Sequence, residues 1–197
     1  MNILAIDTST DLCSISLFLK DKIVDTYEEE RVISHSKILA SNVDLIMTKN
    51  DFKVSNLSLI LLSIGPGSYS GLRVSSSFTK GLAFSIKKPI YPINTLEAMA
   101  LNIADKNSYY VALYSHRNYA FYQEYFNGKK IDKQYCREIK NHKNINIYGY
   151  NLDKIEGIKS INSPPSSVNL INYFLENKEQ LEEKDIADIN PIYLDKS

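Results

Sequence analysis

The chain has 197 residues, of which 23 are basic and 23 acidic, so its formal net charge is zero. That balance excludes a whole-surface electrostatic grip on nucleic acid and leaves room only for a local basic patch. An apolar share of 44% and 11% aromatics exclude a disordered chain and are enough for a real core. In chain order, Leu4–Ile6 reads as a short strand ending in the polar turn Asp7-Thr8-Ser9-Thr10. Cys13, Ile15, Leu17 and Leu19 alternate with Ser14, Ser16 and Phe18, which predicts a period-two strand. A turn at Lys20-Asp21-Lys22 leads to a third strand, Ile23–Tyr27.

His35–Asn50 predicts a helix with Ser34 as its N-cap. Leu57–Ile64 is apolar on both faces, as a central strand is. It runs into Gly65-Pro66-Gly67-Ser68, and a helix is expected from Ser70 to Ile86. Ile90–Ile93 is a further strand, and Thr95–Ala104 a helix with Thr95 as cap. The order β-β-β-α-β-α-β-α, with its first three strands antiparallel, is the ribonuclease-H-like pattern, the unit of the actin, sugar-kinase and Hsp70 group. Beyond it, Tyr109–Tyr114 and Tyr119–Phe126 form an aromatic hairpin. Asp132–Ile139 and Ile145–Tyr148 are expected strands, and Ser166–Asn177 a helix after the break at Ser163-Pro164-Pro165. The expected division is a first lobe over residues 1–104 and a smaller second lobe over 105–197. The two halves have the look of copies of one fold, which periodicity alone does not establish.

The longest apolar stretch, near Leu59–Ile64, is far below the roughly 18–20 residues of a membrane span. The start MNILAIDTST has no basic segment, and Asp7 interrupts its apolar run, so a signal peptide is not expected. Cys13 and Cys136 are far apart, which fits a reducing cytoplasm better than a disulfide or a cysteine-built zinc site. His35, His116 and His142 form no HxxH, HExxH or HxxxH pattern, so no metal site is expected.

The informative stretch is Gly65–Arg73. Its glycines at 65, 67 and 71 and its strand-to-helix position suit either a phosphate cradle or a rigid docking loop, with Asp7, Thr8, Ser9, Thr10, Gly65, Pro66, Gly67, Ser68, Gly71 and Arg73 as candidates. The bland alternative is a tight turn whose glycines only make room for packing. No Lys follows as a P-loop requires, the glycine spacing is one residue too long for GxGxxG, and Tyr69 replaces the serine of a hydrolase elbow. Asp7 is either a metal- or water-orienting acid or an Asx cap of its turn.

Apolar residues spread over roughly 220° of the first helix and roughly 180° of the second, where packing on one side of a sheet needs little more than about 100°. The excess requires other helices of the chain or a partner. With few helices in this half, a partner is the expectation, met by Ile38, Leu39, Val43, Ile46, Met47, Leu72, Val74, Phe78, Leu82 and Ile86.

The segments Ile3–Thr10, His35-Ser36, Gly65–Arg73, Thr79–Ala83, Thr95–Ala100 and Pro191–Leu194, in this order, resemble the bacterial TsaB (YeaZ) family, densely over residues 1–100 and thinly afterwards. The resemblance implies an actin-like ATPase (ASKHA) α/β fold of two ribonuclease-H-like lobes with mixed sheets. It implies a noncatalytic dimerisation subunit for threonylcarbamoylation of N6 of adenosine 37, in tRNAs reading codons that begin with A. Its partners would be a metal-dependent, TsaD-like catalytic subunit and a TsaE-like ATPase. A homodimer through the same surface is open to it, tRNA is met only within the complex, and no membrane is involved. No cofactor is expected on this chain alone, any ATP or ADP being shared with the TsaD partner. TsaD proteins carry a histidine pair at a helix start where this chain has Thr95 and Met99, poor ligands for a hard or borderline divalent ion. The chain departs from the family at Ser115-His116-Arg117 and at Asp195, and its second lobe is short. The rival readings are a small kinase- or ATPase-like enzyme using Asp7 and the glycine loop on phosphates, a peptidase acting on a TsaD-like partner, and a tRNA-binding module using Lys87-Lys88 and Lys129-Lys130.

Overall fold

The structure, a computed structural model, describes residues 1–30, 34–143 and 145–194. Strands β1 (Ile3–Asp7), β2 (Leu12–Leu19), β3 (Lys22–Glu30), β4 (Leu59–Ser63) and β5 (Ile90–Ile93) form one sheet in the order β3-β2-β1-β4-β5. β1 pairs antiparallel with β2 and parallel with β4. β1 and β4 are buried throughout, as their two-faced apolar sequences require. The crossovers are helices α1 (His35–Lys49) and α2 (Tyr69–Ile86), both packed on the face presented by Leu4, Ile6, Ile60 and Leu62.

A second sheet contains β6 (Ser108–His116), β7 (Tyr119–Phe126), β8 (Lys129–Lys130), β9 (Tyr135–Glu138), β10 (Asn146–Tyr150) and β11 (Ile161–Asn162). Its order is β11-β10-β6-β7-β8, with β9 also on β7. β6 is antiparallel to β7 and parallel to β10, as β1 is to β2 and β4. The two sheets share one plan, which makes the halves copies of one fold. Among the described residues the second copy lacks the long crossover helices, and a short 3-10 turn at Leu152–Lys154 stands between β10 and β11.

The remaining helices are exchanged. Helix α3 (Thr95–Ala100) follows the first sheet but sends Leu96, Met99 and Ala100 onto Tyr109, Val111 and Leu113 of the second. Helix α4 (Ser167–Asn177) follows the second sheet but packs Leu170, Ile171 and Phe174 on Ile3, Ala5, Leu59 and Leu61 of the first. A hydroxyl network anchors its start: Ser167 Oγ lies 2.7 Å from both Ser14 Oγ and Ser16 Oγ. Glu28 accepts from Ser14 Oγ at 2.8 Å and from Ser166 Oγ at 2.7 Å, placing a carboxylate at the helix N-terminus, where the peptide dipoles favour it.

Several expected boundaries move. Helix α2 starts one residue early, because Ser68 caps it by accepting from the Gly71 N–H at 3.3 Å. Ser34 occupies the cap position of α1 without a side-chain capping bond. The cap of α3 is Asn94, not Thr95: Asn94 Oδ1 accepts from the Glu97 N–H at 3.2 Å, while the Thr95 hydroxyl turns inward to Ser63 Oγ at 2.7 Å. α3 also ends at Ala100 rather than Ala104, where an Ile103-to-Ala100 bond of 3.0 Å tightens the last turn. The strand expected over Asp132–Ile139 contracts to β9, and the short β8 and β11 carry too few residues to show a period.

Candidate functional site

The two informative sequence motifs meet. Asp7 Oδ1 accepts from the Ser9 N–H at 2.8 Å and closes an Asx turn. Ser68 N–H donates to the Ser9 carbonyl at 2.6 Å, and Thr8 Oγ1 donates to the Gly71 carbonyl at 2.9 Å. A Cβ on Gly67 or Gly71 would lie well inside 3.0 Å of the Ser9 or Thr8 carbonyl oxygen, so both glycines are there for close backbone approach. His35 completes the knot, its Nε2 lying 2.7 Å from the Thr10 carbonyl oxygen.

This packing corrects the phosphate-cradle expectation. The space above Gly67 and Gly71 is filled by the chain's own Thr8 and Ser9. Asp7, Thr8, Ser9, Thr10, Gly65, Pro66 and Gly71 are buried, Gly67 and Ser68 half-buried, and Arg73 alone is exposed. Burial holds the Asp7 carboxyl above its ordinary range, partly offset by hydrogen bonding from Ser9 and Ser63. The metal position does not fit a metal either. The Thr95 hydroxyl is committed to Ser63, and the Met99 thioether packs among Leu96, Tyr109 and Val111.

Beside the knot lies a cleft of about 380 Å³ between the two sheets, lined by Ser9, Thr10, Ser68, Tyr114, Asn151 and Lys154 among others. Its far wall was not foreseen. Asp11 ties it shut, accepting from Asn151 Nδ2 at 2.6 Å and Lys154 Nζ at 3.2 Å. Burial alone would raise the Asp11 pKa, but Asn151 and Lys154 outweigh it and hold the carboxyl below its ordinary range.

The expected partner surface divides. Leu39, Val43, Ile46, Met47 and Leu72 are buried within the chain and are not available to a partner. They face the sheet, and the rest of the apolar excess is covered locally by Phe52 and Val54 and by Ile186 and Ile189 of the tail. Ile38, Val74, Phe78, Leu82 and Ile86 are half-buried on that cluster. The outward apolar groups are instead Leu45 of α1, 53% exposed, and Phe84 of α2, 77% exposed. By its spacing, Phe84 falls outside the roughly 180° apolar arc of α2. The tail is a strap: Ile192 N–H donates to the Ile64 carbonyl at 2.7 Å, and Tyr193 OH accepts from Arg73 Nε at 3.2 Å. The family departure at Asp195 lies outside the described residues. Among the described residues, no group of three or more His, Cys, Asp or Glu is placed to hold a metal, and no helix is long and apolar enough to cross a membrane.

Residues 29–162 match the family profile TsaD, tRNA N6-adenosine threonylcarbamoyltransferase. A Bacillus subtilis protein named tRNA threonylcarbamoyladenosine biosynthesis protein TsaB is 32% identical over 130 residues, 60% of this chain and 57% of that protein. The Escherichia coli protein of the same name is 32% identical over 107 residues, 54% of this chain and 46% of its own length. The chain thus spans about half the length of the curated relatives it matches. A solved structure of YeaZ from Pseudomonas aeruginosa superposes with a TM-score of 0.76 at 17% identity, covering 98% of this chain and 99% of that one. A second Pseudomonas aeruginosa structure, described as similar to peptidase YeaZ, gives 0.79 with the same identity and coverage. These likenesses establish the actin-like, ribonuclease-H-like fold that the two sheets display. The profile matches about two thirds of this chain, so the chain belongs to the TsaD threonylcarbamoyltransferase family, within which it is similar to the TsaB (YeaZ) proteins.

Proposed function

We propose that this chain is the noncatalytic scaffold subunit of a complex that adds threonylcarbamoyl to N6 of adenosine 37 in tRNAs reading codons that begin with A. One observation carries the reading: the two positions that bind metal in the catalytic relatives are here spent on the fold. Thr95 is bonded to Ser63 and Met99 is sealed in the second sheet's core. A chain so built contributes by binding. Its partner is a TsaD-like metal-dependent subunit, with a TsaE-like ATPase joining the complex. The contact surface is the outward side of α1 and α2, centred on Leu45 and Phe84 and flanked by the half-buried Ile38, Val74, Phe78, Leu82 and Ile86. Two exposed apolar side chains on neighbouring helices suit the core of an interface, with polar residues as its rim. A second copy of the chain competes for the same surface. Any ATP or ADP is shared with the TsaD-like partner, tRNA is met within the complex, and the cytoplasm is the compartment.

Reconstitution tests this. Purified TsaD- and TsaE-like subunits receive threonylcarbamoyl-adenylate, ATP and unmodified tRNA, with and without this chain. Product is expected only when the chain is added, and none from the chain alone. Product formed equally without it would refute the scaffold role.

A further inference from the structure

The exposed flank of α2 that faces the tail carries a row of cations. Arg73 and Lys80 are spaced by seven residues, two helical turns, so Lys80 lies about 10.5 Å further along the axis and only about 20° round it, and Lys87 follows just past the helix end. Helix α2 contains no acidic residue. Between its first two cations and the tail strap is a pocket of about 470 Å³, lined by Arg73, Ser76, Ser77, Lys80, Asn190 and Tyr193 with two apolar neighbours. Among the described residues, no carboxylate lines it. The tail's Glu182, Glu183, Asp185 and Asp188 make no ion pair with Arg73 or Lys80 among the described residues. The Ser76 and Ser77 hydroxyls have no hydrogen-bond partner there either, although Ser76 is 6% exposed.

Arg73 is held in place. Its Nε donates to Tyr193 OH at 3.2 Å, and its guanidinium carbon sits 4.5 Å from the centre of the Tyr69 ring. Those contacts use one N–H and one face of the group and leave its terminal N–H donors without a protein acceptor among the described residues. A fixed guanidinium, an ammonium two turns away and free hydroxyls between them form a concave, donor-rich site without a carboxylate among the described residues. We infer that this pocket binds neighbouring phosphate groups, carried by a small diphosphate or by a polynucleotide backbone. The site is separate from the cleft between the sheets and does not depend on the proposed scaffold role, but Phe84, eleven residues and only about 20° round the helix from Arg73, sets it beside the proposed partner surface.

The test uses the isotopically labelled full chain in solution, titrated separately with inorganic pyrophosphate and with a ten-nucleotide single-stranded RNA. Amide shifts are expected at Ser76, Ser77, Lys80 and Asn190. Arg73→Gln and Lys80→Gln are each expected to weaken binding on the order of tenfold, the worth of one charge-assisted contact. Their amide spectra report at once whether the fold is kept. Binding of pyrophosphate alone assigns the small-molecule source. RNA binding whose logarithmic salt slope is about −1.4, for two phosphates on a single strand, assigns the polynucleotide source. The inference is overturned if neither probe shifts these amides, if both variants bind as the parent does, or if the shifts centre on Ser9, Thr10 and Asn151 in the cleft.

Discussion

Gly71 and Gly81 lie in the same helix, and Ala at the two positions is expected to act with opposite sign. At Gly81 a Cβ meets nothing within 4 Å, so Ala brings only its helix preference, a gain of about 0.5–1 kcal/mol. At Gly71 the Cβ falls on the Thr8 carbonyl oxygen, a backbone atom that cannot turn aside. Overpacking of that kind costs about 1–3 kcal/mol. Displacing Thr8 also strains the 2.9 Å bond from its hydroxyl to the Gly71 carbonyl, worth about 1 kcal/mol. Set against a helix gain of at most about 1 kcal/mol, Gly71→Ala is expected to destabilise by about 1–3 kcal/mol. The two variants then differ by about 2–4 kcal/mol, or very roughly 4–16 °C in a domain of this size. Urea unfolding followed by circular dichroism reads the difference directly. A Gly71→Ala midpoint at or above that of the parent would refute the close-approach role of this glycine and reopen the phosphate-cradle reading.

Ser167→Ala should cost about 1–3 kcal/mol in the same assay, because it removes two buried hydroxyl bonds worth about 0.5–1.5 kcal/mol each, while Ser14 and Ser16 keep Glu28 and Thr26 as partners. Leu45→Glu and Phe84→Glu should keep parental stability within about 0.5 kcal/mol, as exposed substitutions do, yet abolish co-purification with a TsaD-like subunit. Undiminished capture would remove the proposed surface. Asp7 titrates above its unfolded value of 3.8 because it is buried, so the folded chain binds its proton more tightly and this group's contribution to stability falls as pH rises from 3.8 through the folded pKa. Asp7→Asn keeps the acceptor for Ser9 and removes that loss, so it should be more stable than the parent at pH 7, by a margin that shrinks as pH approaches 4; a margin independent of pH would contradict the burial argument.

Much of the first sheet was legible because its strands and helices are long enough to show their periods. The alternation from Cys13 to Leu19 and the two-faced apolar run at Leu59–Ser63 each leave few options for where they sit. The glycine loop was legible as a special place but not as a filled one, since what occupies it, Thr8 and Ser9, is more than fifty residues away in sequence. A greater distance hid the clamp from Asp11 to Asn151 and Lys154. The interface was overread for a related reason. An apolar arc records how much of a helix is covered, not by what, and the cover on α2 comes partly from Ile186 and Ile189 near the far end of the chain. Leu45 and Phe84 stand apart only once that cover is in place.

The exchange of α3 and α4 bears on where the chain can be cut. A fragment of residues 1–104 holds every strand of the first sheet, both crossover helices and the knot at Asp7–Thr10. It lacks α4, whose Leu170, Ile171 and Phe174 cover the sheet face of Ile3, Ala5, Leu59 and Leu61. Each of those three side chains is worth about 1.5–3 kcal/mol when fully buried, so their loss removes about 5–9 kcal/mol. Whole domains have a net stability of about 5–15 kcal/mol. The fragment also turns Leu96 and Met99 of α3 out to water, since their cover is the second sheet. Residues 1–104 alone are therefore expected to unfold without a cooperative transition and to expose apolar surface, read as dye binding. Adding residues 105–197 in trans should restore a cooperative melt. A sharp transition from the first fragment alone would show that α4 is a lid on an independent lobe rather than part of its core.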